Sequence, residues 1–105
     1  MGPEESKSKL RYRIGDVVLD TATREVERGS QSLKIGGLTF DLFLALTEAA
    51  PALLTHDELA ARVWPGRVVT PDTLTQRVRM LREALDDDAK SPTYVQLVRG
   101  QGYRL

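Results

Sequence analysis

The sequence predicts an α+β domain, with short strands first, three helices in the middle and a closing hairpin. Apolar residues recur at every second position as far as Ile35, and at helical spacing from Leu38 onward. The alternation returns at Tyr94, and Gly100 and Gly102 supply the signals of a tight turn. A chain of 105 residues is long enough for one modest core and too short for two.

The first part of the chain divides into a leader and a set of strands. Residues 1–9 are polar and are predicted as a disordered leader, so that the folded domain covers 10–105. Turn signals such as Gly15-Asp16 and Gly36-Gly37 separate short alternating segments. We expect an antiparallel meander of three or four strands that serves as a scaffold. The alternating apolar residues are Leu10, Tyr12, Ile14, Val17, Leu19, Val26, Leu33 and Ile35.

Two helices follow the strands. The first begins at Leu38, is apolar on most sides and ends at Pro51, as is typical of a central core helix. Thr55 and Glu58 have the spacing of a capping box, in which each side chain accepts a hydrogen bond from the other residue's backbone N–H. The second helix therefore begins next to Thr55, and Pro65-Gly66 ends it after about two and a half turns.

The third helix, from Thr70 to Leu85, is the most informative segment. Thr70 is a good N-cap, and Pro71 suits the first helical position, where a backbone N–H has no helical partner. One side is apolar and predicts a core contact through Leu74, Val78, Leu81 and Leu85. The other side and its flanks carry Thr73, Thr75, Gln76, Arg77, Arg79, Met80 and Arg82. Such a face suits DNA, with arginines at phosphates and the other side chains at base edges; a solvated amphipathic helix is the alternative.

The distribution of charge favours DNA, although the net charge is zero, with 15 basic and 15 acidic residues. From Leu59 to Arg82 there are five arginines and one acidic residue, whereas residues 1–58 contain seven basic and ten acidic residues. Positive charge is therefore concentrated around the third helix. A local basic patch is what attraction to phosphates requires.

Other classes of function receive no support from the sequence. There are no cysteines, which excludes disulfides and thiolate metal sites. His56 has no nucleophile partner in a recognisable arrangement, and Asp86–Asp88 lack the spacing and glycine of a calcium loop. We therefore predict no enzyme activity, no catalytic residues, no metal, no cofactor and no small-molecule substrate. No apolar run approaches the roughly 18 residues of a membrane span, so a cytoplasmic location is expected.

Four blocks of sequence carry a resemblance to a known family. They are, in order, LTFDLFLALTEA, HDELAARVW, TLTQRVRMLREAL and YVQLVRGQGYRL. Together they resemble the winged helix-turn-helix effector domain of the OmpR/PhoB family of bacterial transcription regulators, over nearly all of 12–105. The resemblance implies an N-terminal antiparallel four-stranded sheet, a three-helix core and a C-terminal β-hairpin wing. It also implies sequence-specific binding of double-stranded DNA in transcription regulation and signal transduction.

By this resemblance the third helix, here 71–85, is similar to the recognition helix that lies in the major groove. Contacts with bases are then expected from Thr75, Gln76 and Met80, and Met80 stands where several family members carry a base-reading arginine. Trp64 matches a tryptophan whose indole N–H can donate to a phosphate, and a plain core tryptophan is an equally good interpretation. The expected phosphate contacts are Trp64, Thr73, Arg77, Arg79 and Arg82.

The closing hairpin is similar to the wing of the family. Arg99 matches the wing arginine that enters the minor groove, where narrow A·T-rich stretches attract a guanidinium, and it is counted among the base contacts. Gly100 and Gly102 follow this position, and their small size would let the backbone approach DNA closely.

The resemblance also indicates partners beyond DNA. The 65–69 loop resembles the family's transactivation loop, which contacts RNA polymerase, although it is short. Two copies are expected to associate weakly on tandem DNA sites, because one such domain buries a small interface. The domain begins close to Met1, an arrangement more similar to the ToxR/CadC branch than to response regulators. The competing interpretation is a winged-helix protein-interaction module without DNA binding, whose docking face would be apolar at its centre.

Overall fold

The computed structural model of the protein describes residues 11–87 and 94–105. The predicted leader, residues 1–9, lies outside the described residues, as do Leu10 and most of the acidic loop that follows the third helix. Within the described part of the chain, no helix is long and apolar enough to cross a membrane.

Four short strands form the N-terminal sheet, as predicted. They are β1 (Arg11–Ile14), β2 (Val17–Asp20), β3 (Glu25–Arg28) and β4 (Gln31–Leu33), all antiparallel in the order β1-β2-β3-β4. Leu19 lies opposite Tyr12 on one side and Val26 on the other, so the alternating apolar residues share one face. That face packs on the helices, and Leu19 and Val26 are fully buried.

The first two helices match their sequence signals closely. Helix α1 spans Gly37–Ala49 and is buried on most sides, as expected of a central core helix. Helix α2 spans His56–Val63, and its capping box is formed: Thr55 Oγ1 accepts from the Glu58 N–H at 3.1 Å, and Glu58 Oε1 accepts from the Thr55 N–H at 2.9 Å. Trp64 caps the end of α2 rather than extending it.

Helix α3 spans Pro71–Leu85 and begins where the N-cap signal places it. Thr70 Oγ1 accepts a hydrogen bond from the Thr73 N–H at 3.3 Å. Helix α3 ends at a C-cap residue, Asp86, which adopts a left-handed conformation with φ of +57°. The apolar side of α3 is at most 1% exposed at each of Leu74, Val78, Leu81 and Leu85. The helix is therefore held to the core along one side only.

The wing is a three-stranded sheet, whereas the sequence predicted a two-stranded hairpin. It contains β5 (Leu54–Thr55), β6 (Gln96–Val98) and β7 (Gly102–Arg104), in the order β5-β7-β6. The two-residue β5 is too short to show an alternating pattern, and only its long-range pairing with β7 defines it. The strand predicted from Tyr94 starts at Gln96, because the N–H and C=O groups of Val95 are bound by the side chains of Asp87 and Arg82 instead of a neighbouring strand.

Gly102 is required by this sheet rather than by DNA. A Cβ at Gly102 would lie 2.0 Å from the Leu54 carbonyl oxygen, so β5 and β7 could not pair with any larger residue there. The residue is also buried. The expectation that Gly102 lets the backbone approach DNA is thus replaced by a packing role.

Candidate nucleic-acid interface

The outer side of α3 is exposed, as a contact surface must be. Thr73, Thr75, Gln76, Arg79 and Met80 all lie open to solvent, and Met80 is 47% exposed. The side chains opposite them are fully buried, so the helix cannot rotate to hide its polar side without exposing its apolar residues. The structure therefore brings the predicted base-facing residues together on one rigid surface.

Two arginines of α3 are partly buried and hydrogen-bonded within the protein, which the sequence did not indicate. Arg77 is half-buried, and its Nη1 donates to Thr39 Oγ1 at 3.2 Å. Arg82 is also half-buried; its Nη2 donates to the Val95 carbonyl at 2.9 Å, and its Nε is buried without a hydrogen-bond partner. Both therefore stabilise the fold in addition to any contact with a ligand. Among the described residues, no hydrogen bond holds the Arg79 side chain in this way.

Within the part of the chain that the structure describes, the arginines of α3 and the wing form no ion pair with an acidic side chain. Among residues 11–87 and 94–105, ion pairs within 4.0 Å join Arg11 to Asp20, Arg24 to Asp41 and Arg28 to Asp16. None involves a residue of α3 or the β6–β7 turn. The positive charge of this surface thus remains available to an external anion.

Arg99 is exposed at the tip of the wing. The Gln101 N–H donates to the Val98 carbonyl at 2.9 Å and closes a four-residue turn. Gly100 has φ of +75°, as the third position of a type II turn requires, so glycine is needed there for the turn itself. The turn therefore holds Arg99 in an exposed position.

The wing strand β7 lies beside the recognition side of α3. A cleft of about 300 Å³ separates them, and Thr75, Arg79, Arg82 and Tyr103 are among the residues that line it. The exposed side of α3 and the wing therefore form one continuous surface. A duplex that filled the space in front of α3 would meet the wing as well.

Trp64 lies at the other end of this surface. It is only 6% exposed and belongs to the core, which agrees with the core interpretation of its ring. It nevertheless lines a shallow cleft of about 230 Å³ together with Arg67, Val69 and Thr73. Arg67 was not among the predicted contacts, although the charge count around α3 already included it.

His56 and Asp87, which the sequence also singled out, have structural roles. The His56 ring is half-buried and stacks on Tyr103, with 6.0 Å between ring centroids. The Asp87 carboxylate accepts from the backbone N–H groups of Tyr94 and Val95. Within the described residues, no three His, Asp or Glu side chains are grouped so that they could hold a metal ion.

The four-stranded sheet, three helices and short wing sheet define a winged helix-turn-helix domain with an open basic surface. Residues 30–105 match the family described as "Transcriptional regulatory protein, C terminal". The chain belongs to this OmpR/PhoB-type family, whose domains bind DNA in transcription regulation.

Curated relatives come from both branches named above. The transcriptional activator CadC of Escherichia coli is 30% identical over 94 residues, which cover 89% of this chain and 18% of CadC. The response regulator MtrA of Mycobacterium tuberculosis is 34% identical over 92 residues, which cover 87% of this chain and 40% of MtrA. The chain thus spans well under half the length of these relatives.

Solved structures share the fold. The DNA-binding domain of E. coli CadC superposes with a TM-score of 0.79 at 28% identity, covering 92% of each chain. Thermotoga maritima DrrB, described as an OmpR/PhoB homologue, gives a TM-score of 0.84 at 25% identity, covering 97% of this chain and 46% of DrrB. The Klebsiella pneumoniae RstA domain, solved in complex with the RstA box, gives 0.83 at 23% identity, covering 90% of this chain and 95% of that one.

Proposed function

We propose that the chain binds duplex DNA with α3 in the major groove and the β6–β7 turn in the adjacent minor groove. The observation that carries this proposal is the continuous surface of α3 and the wing, where Arg79 and Arg99 are exposed and unpaired within the described residues. A major groove about 12 Å wide admits one helix, and the wing then lies over the next groove.

The base contacts are assigned to the middle of the exposed side of α3. Gln76 carries both a donor and an acceptor, so it can bind adenine through two hydrogen bonds. Thr75 offers a hydroxyl and a methyl group, and the exposed Met80 can pack on the methyl group of thymine. Arg99 is assigned to the minor groove, where a narrow A·T-rich stretch favours a guanidinium.

The phosphate contacts are assigned to the rim of the same surface. Arg79 is free to reach a phosphate, whereas Arg77 and Arg82 would use the guanidinium N–H groups that Thr39 and Val95 leave unbound. Thr73 shares a hydrogen bond with Thr70, so its hydroxyl can donate or accept at a fixed position. Trp64 would present the edge of its ring at the shallow cleft beside Thr73.

Selection from a random pool of duplex oligonucleotides tests this proposal and reports the preferred sequence. The purified chain should enrich a common motif, and the Arg79→Ala/Arg99→Ala variant should enrich none at the same protein concentration. Arg11→Ala/Arg24→Ala is the matched control, since it also removes two positive charges, both from the N-terminal sheet. Failure of the wild-type chain to enrich any motif at low salt would refute the proposal.

We also propose that the 65–69 loop contacts a protein partner of the transcription machinery, namely RNA polymerase. Val68 supports this, because its side chain is fully exposed and it lines two shallow clefts. Val68→Ser should lower transcription from a promoter with a bound site and leave DNA affinity unchanged. Equal transcription by both proteins would contradict this role.

Further proposals concern assembly and location. Two copies associate weakly on tandem sites, so binding to a two-site duplex should be tighter per site than binding to a single site. The location is cytoplasmic, on the side of the membrane where DNA lies. The alternative of a protein-interaction module is less favoured, because the centre of the α3 surface is polar and basic rather than apolar.

A further inference from the structure

The segment that leads into the wing is fixed by contacts from two other parts of the molecule. Tyr94 and Val95 precede β6 and are 8% and 0% exposed. The end of α3 approaches them from one side, and the inner face of the N-terminal sheet approaches from the other. Residues 88–93, which connect α3 to this segment along the chain, lie outside the described residues.

The end of α3 holds the backbone of this segment. The Asp87 carboxylate accepts from the Tyr94 N–H at 3.3 Å and from the Val95 N–H at 2.9 Å. Arg82 Nη2 donates to the Val95 carbonyl at 2.9 Å. Both backbone polar groups of Val95 are thus bound by residues of α3 or its C-terminal extension, and charged partners make these hydrogen bonds stronger than neutral ones.

The N-terminal sheet holds the side chain of Tyr94. Arg28 Nη2 donates to the Tyr94 hydroxyl at 3.1 Å and to the Leu85 carbonyl, at the end of α3, at 2.6 Å. The Tyr94 hydroxyl donates in turn to an Asp16 carboxylate oxygen, and Arg28 Nε lies 3.4 Å from the other oxygen. Burial, followed by the hydrogen bond to Asp16, raises the pKa of Tyr94, so the hydroxyl keeps the proton that it donates. We call Asp16, Arg28 and Tyr94 the sheet–wing cluster.

The position of the sheet–wing cluster allows it to influence DNA binding. The Arg28 guanidinium binds the carbonyl of Leu85, the last residue of α3, where the helix dipole is negative. It also binds the hydroxyl of Tyr94, which lies just before β6. Arg99 lies only a few residues beyond Tyr94, at the end of the short strand β6. A shift of the Tyr94 side chain would therefore change the distance between Arg99 and the exposed side of α3.

We propose that Arg28 and Tyr94 are positioning residues for DNA binding, which hold the wing at the distance from α3 that lets both contact one duplex. This inference rests on the proposed function. Arg28 and Tyr94 act through Arg99 and do not themselves contact DNA. A positioned site loses affinity when its supporting hydrogen bonds are removed, even though every contact residue remains.

Tyr94→Phe tests the proposal, because it removes the hydroxyl and keeps the buried ring. Affinity for the selected duplex is measured for the wild type, Tyr94→Phe, Arg99→Ala and the double variant. We expect Tyr94→Phe to weaken binding about tenfold in the wild-type background, the size of effect of a lost hydrogen bond to charged groups, and less than about twofold in the Arg99→Ala background. An unchanged affinity, or an equal loss in both backgrounds, would overturn the proposal.

Arg28→Lys provides a second variant, since it keeps the charge but loses the planar guanidinium, whose Nη2 binds Leu85 and Tyr94 while its Nε faces Asp16. It should weaken binding as Tyr94→Phe does. Arg24→Lys is the matched control, because Arg24 links the same sheet to α1 through Asp41 and has no contact with the wing. It should bind DNA like the wild type, and a loss equal to that of Arg28→Lys would overturn the proposal.

Hydrogen exchange on the free protein separates this inference from the proposed function. Tyr94→Phe should speed exchange of the β6 and β7 amides and leave α1 unchanged. If the wild type bound no DNA, the proposed function would fail, and exchange would still report on the cluster. If DNA bound normally and exchange in the wing did not change, the positioning role alone would be refuted.

Discussion

Three arginines of the N-terminal sheet and its turns differ in electrostatic setting from two exposed arginines on α3 and the wing. In the sheet and its turns, Arg11, Arg24 and Arg28 each lie within 3.4 Å of a carboxylate oxygen. On α3 and the wing, Arg79 and Arg99 have no such neighbour among the described residues. A chain of zero net charge can therefore carry exposed arginines without an ion pair, because Asp16, Asp20 and Asp41 pair with arginines elsewhere in the fold.

Arg82 belongs to neither group, because it has both a structural contact and a place on the DNA-binding surface. Its guanidinium binds a backbone carbonyl of the wing segment while one of its edges lines the cleft between α3 and β7. Such a residue stabilises the surface and can also contact a ligand. Substituting it therefore changes folding and binding together, which makes Arg79 the better probe of charge alone.

The largest expected effect is that of salt on DNA affinity, because the unpaired arginines bind phosphates. With three or four phosphates neutralised, DNA affinity should fall about 40- to 150-fold between about 50 and about 200 mM salt. A fluorescence anisotropy titration at several salt concentrations measures this. Arg79→Ala should reduce the slope of log affinity against log salt by about one, and Arg11→Ala should leave it unchanged. A flat dependence for the wild type would mean that the surface does not bind phosphates.

Within the α3 surface, substitutions should separate base contacts from phosphate contacts. Gln76→Ala should alter the preference among related duplexes by about 1 to 3 kcal/mol, because it removes hydrogen bonds to a base edge. Arg79→Ala should weaken binding to all of these duplexes alike, because phosphates carry no sequence information. Competition binding with duplexes that differ by one base pair measures both. The reverse pattern would show that the two assignments must be exchanged.

In the N-terminal sheet, removing a paired arginine should have little effect on the free energy of unfolding or on DNA affinity. Arg11 is mostly exposed, and its ion pair with Asp20 is 3.3 Å long. Arg11→Ala should therefore lower the free energy of unfolding by about 0 to 1 kcal/mol, and DNA affinity should stay within about twofold of the wild type. Urea denaturation and anisotropy measure the two quantities. A loss of affinity as large as that of Arg79→Ala would remove the distinction between the two groups.

The smallest expected effect concerns pH. The hydrogen bond from the Tyr94 hydroxyl, with a smaller effect of Arg28, lowers the pKa of Asp16 below its usual 3.8. A carboxylate whose pKa is lower in the folded state stabilises the protein above its unfolded pKa, and this contribution is lost as the pH falls through the folded pKa. Asp16→Asn should therefore be slightly less stable than the wild type at neutral pH, and the difference should shrink below about pH 4.

Denaturation of both proteins at several pH values measures this difference. Asp20→Asn is a suitable comparison: desolvation raises the pKa of that carboxyl, but backbone N–H groups and Arg11 together lower it by more, so the net shift is also downward. An Asp16→Asn difference that grew on acidification would contradict the assigned direction.

Local signals predicted the elements of this fold well. The capping box at Thr55, the N-cap at Thr70 and the two periodicities depend on residues within a few positions of one another, and each appears where expected. The strand β5 was missed because pairing with β7, across about fifty residues, defines it. The role of Gly102 was misassigned for the same reason, since the atom that excludes a side chain belongs to Leu54.

The sequence alone determined the α+β class, the helix boundaries, the inward and outward sides of α3 and the family. These properties depend on the spacing of residue types along the chain, which can be read directly from the sequence. Only the tertiary structure decided which arginines are paired, that Arg77 and Arg82 are partly buried, and that Arg28 joins the sheet to both α3 and the wing. Hydrogen bonds and ion pairs act over about 3 to 4 Å, and only folding brings residues that are distant in sequence within that range.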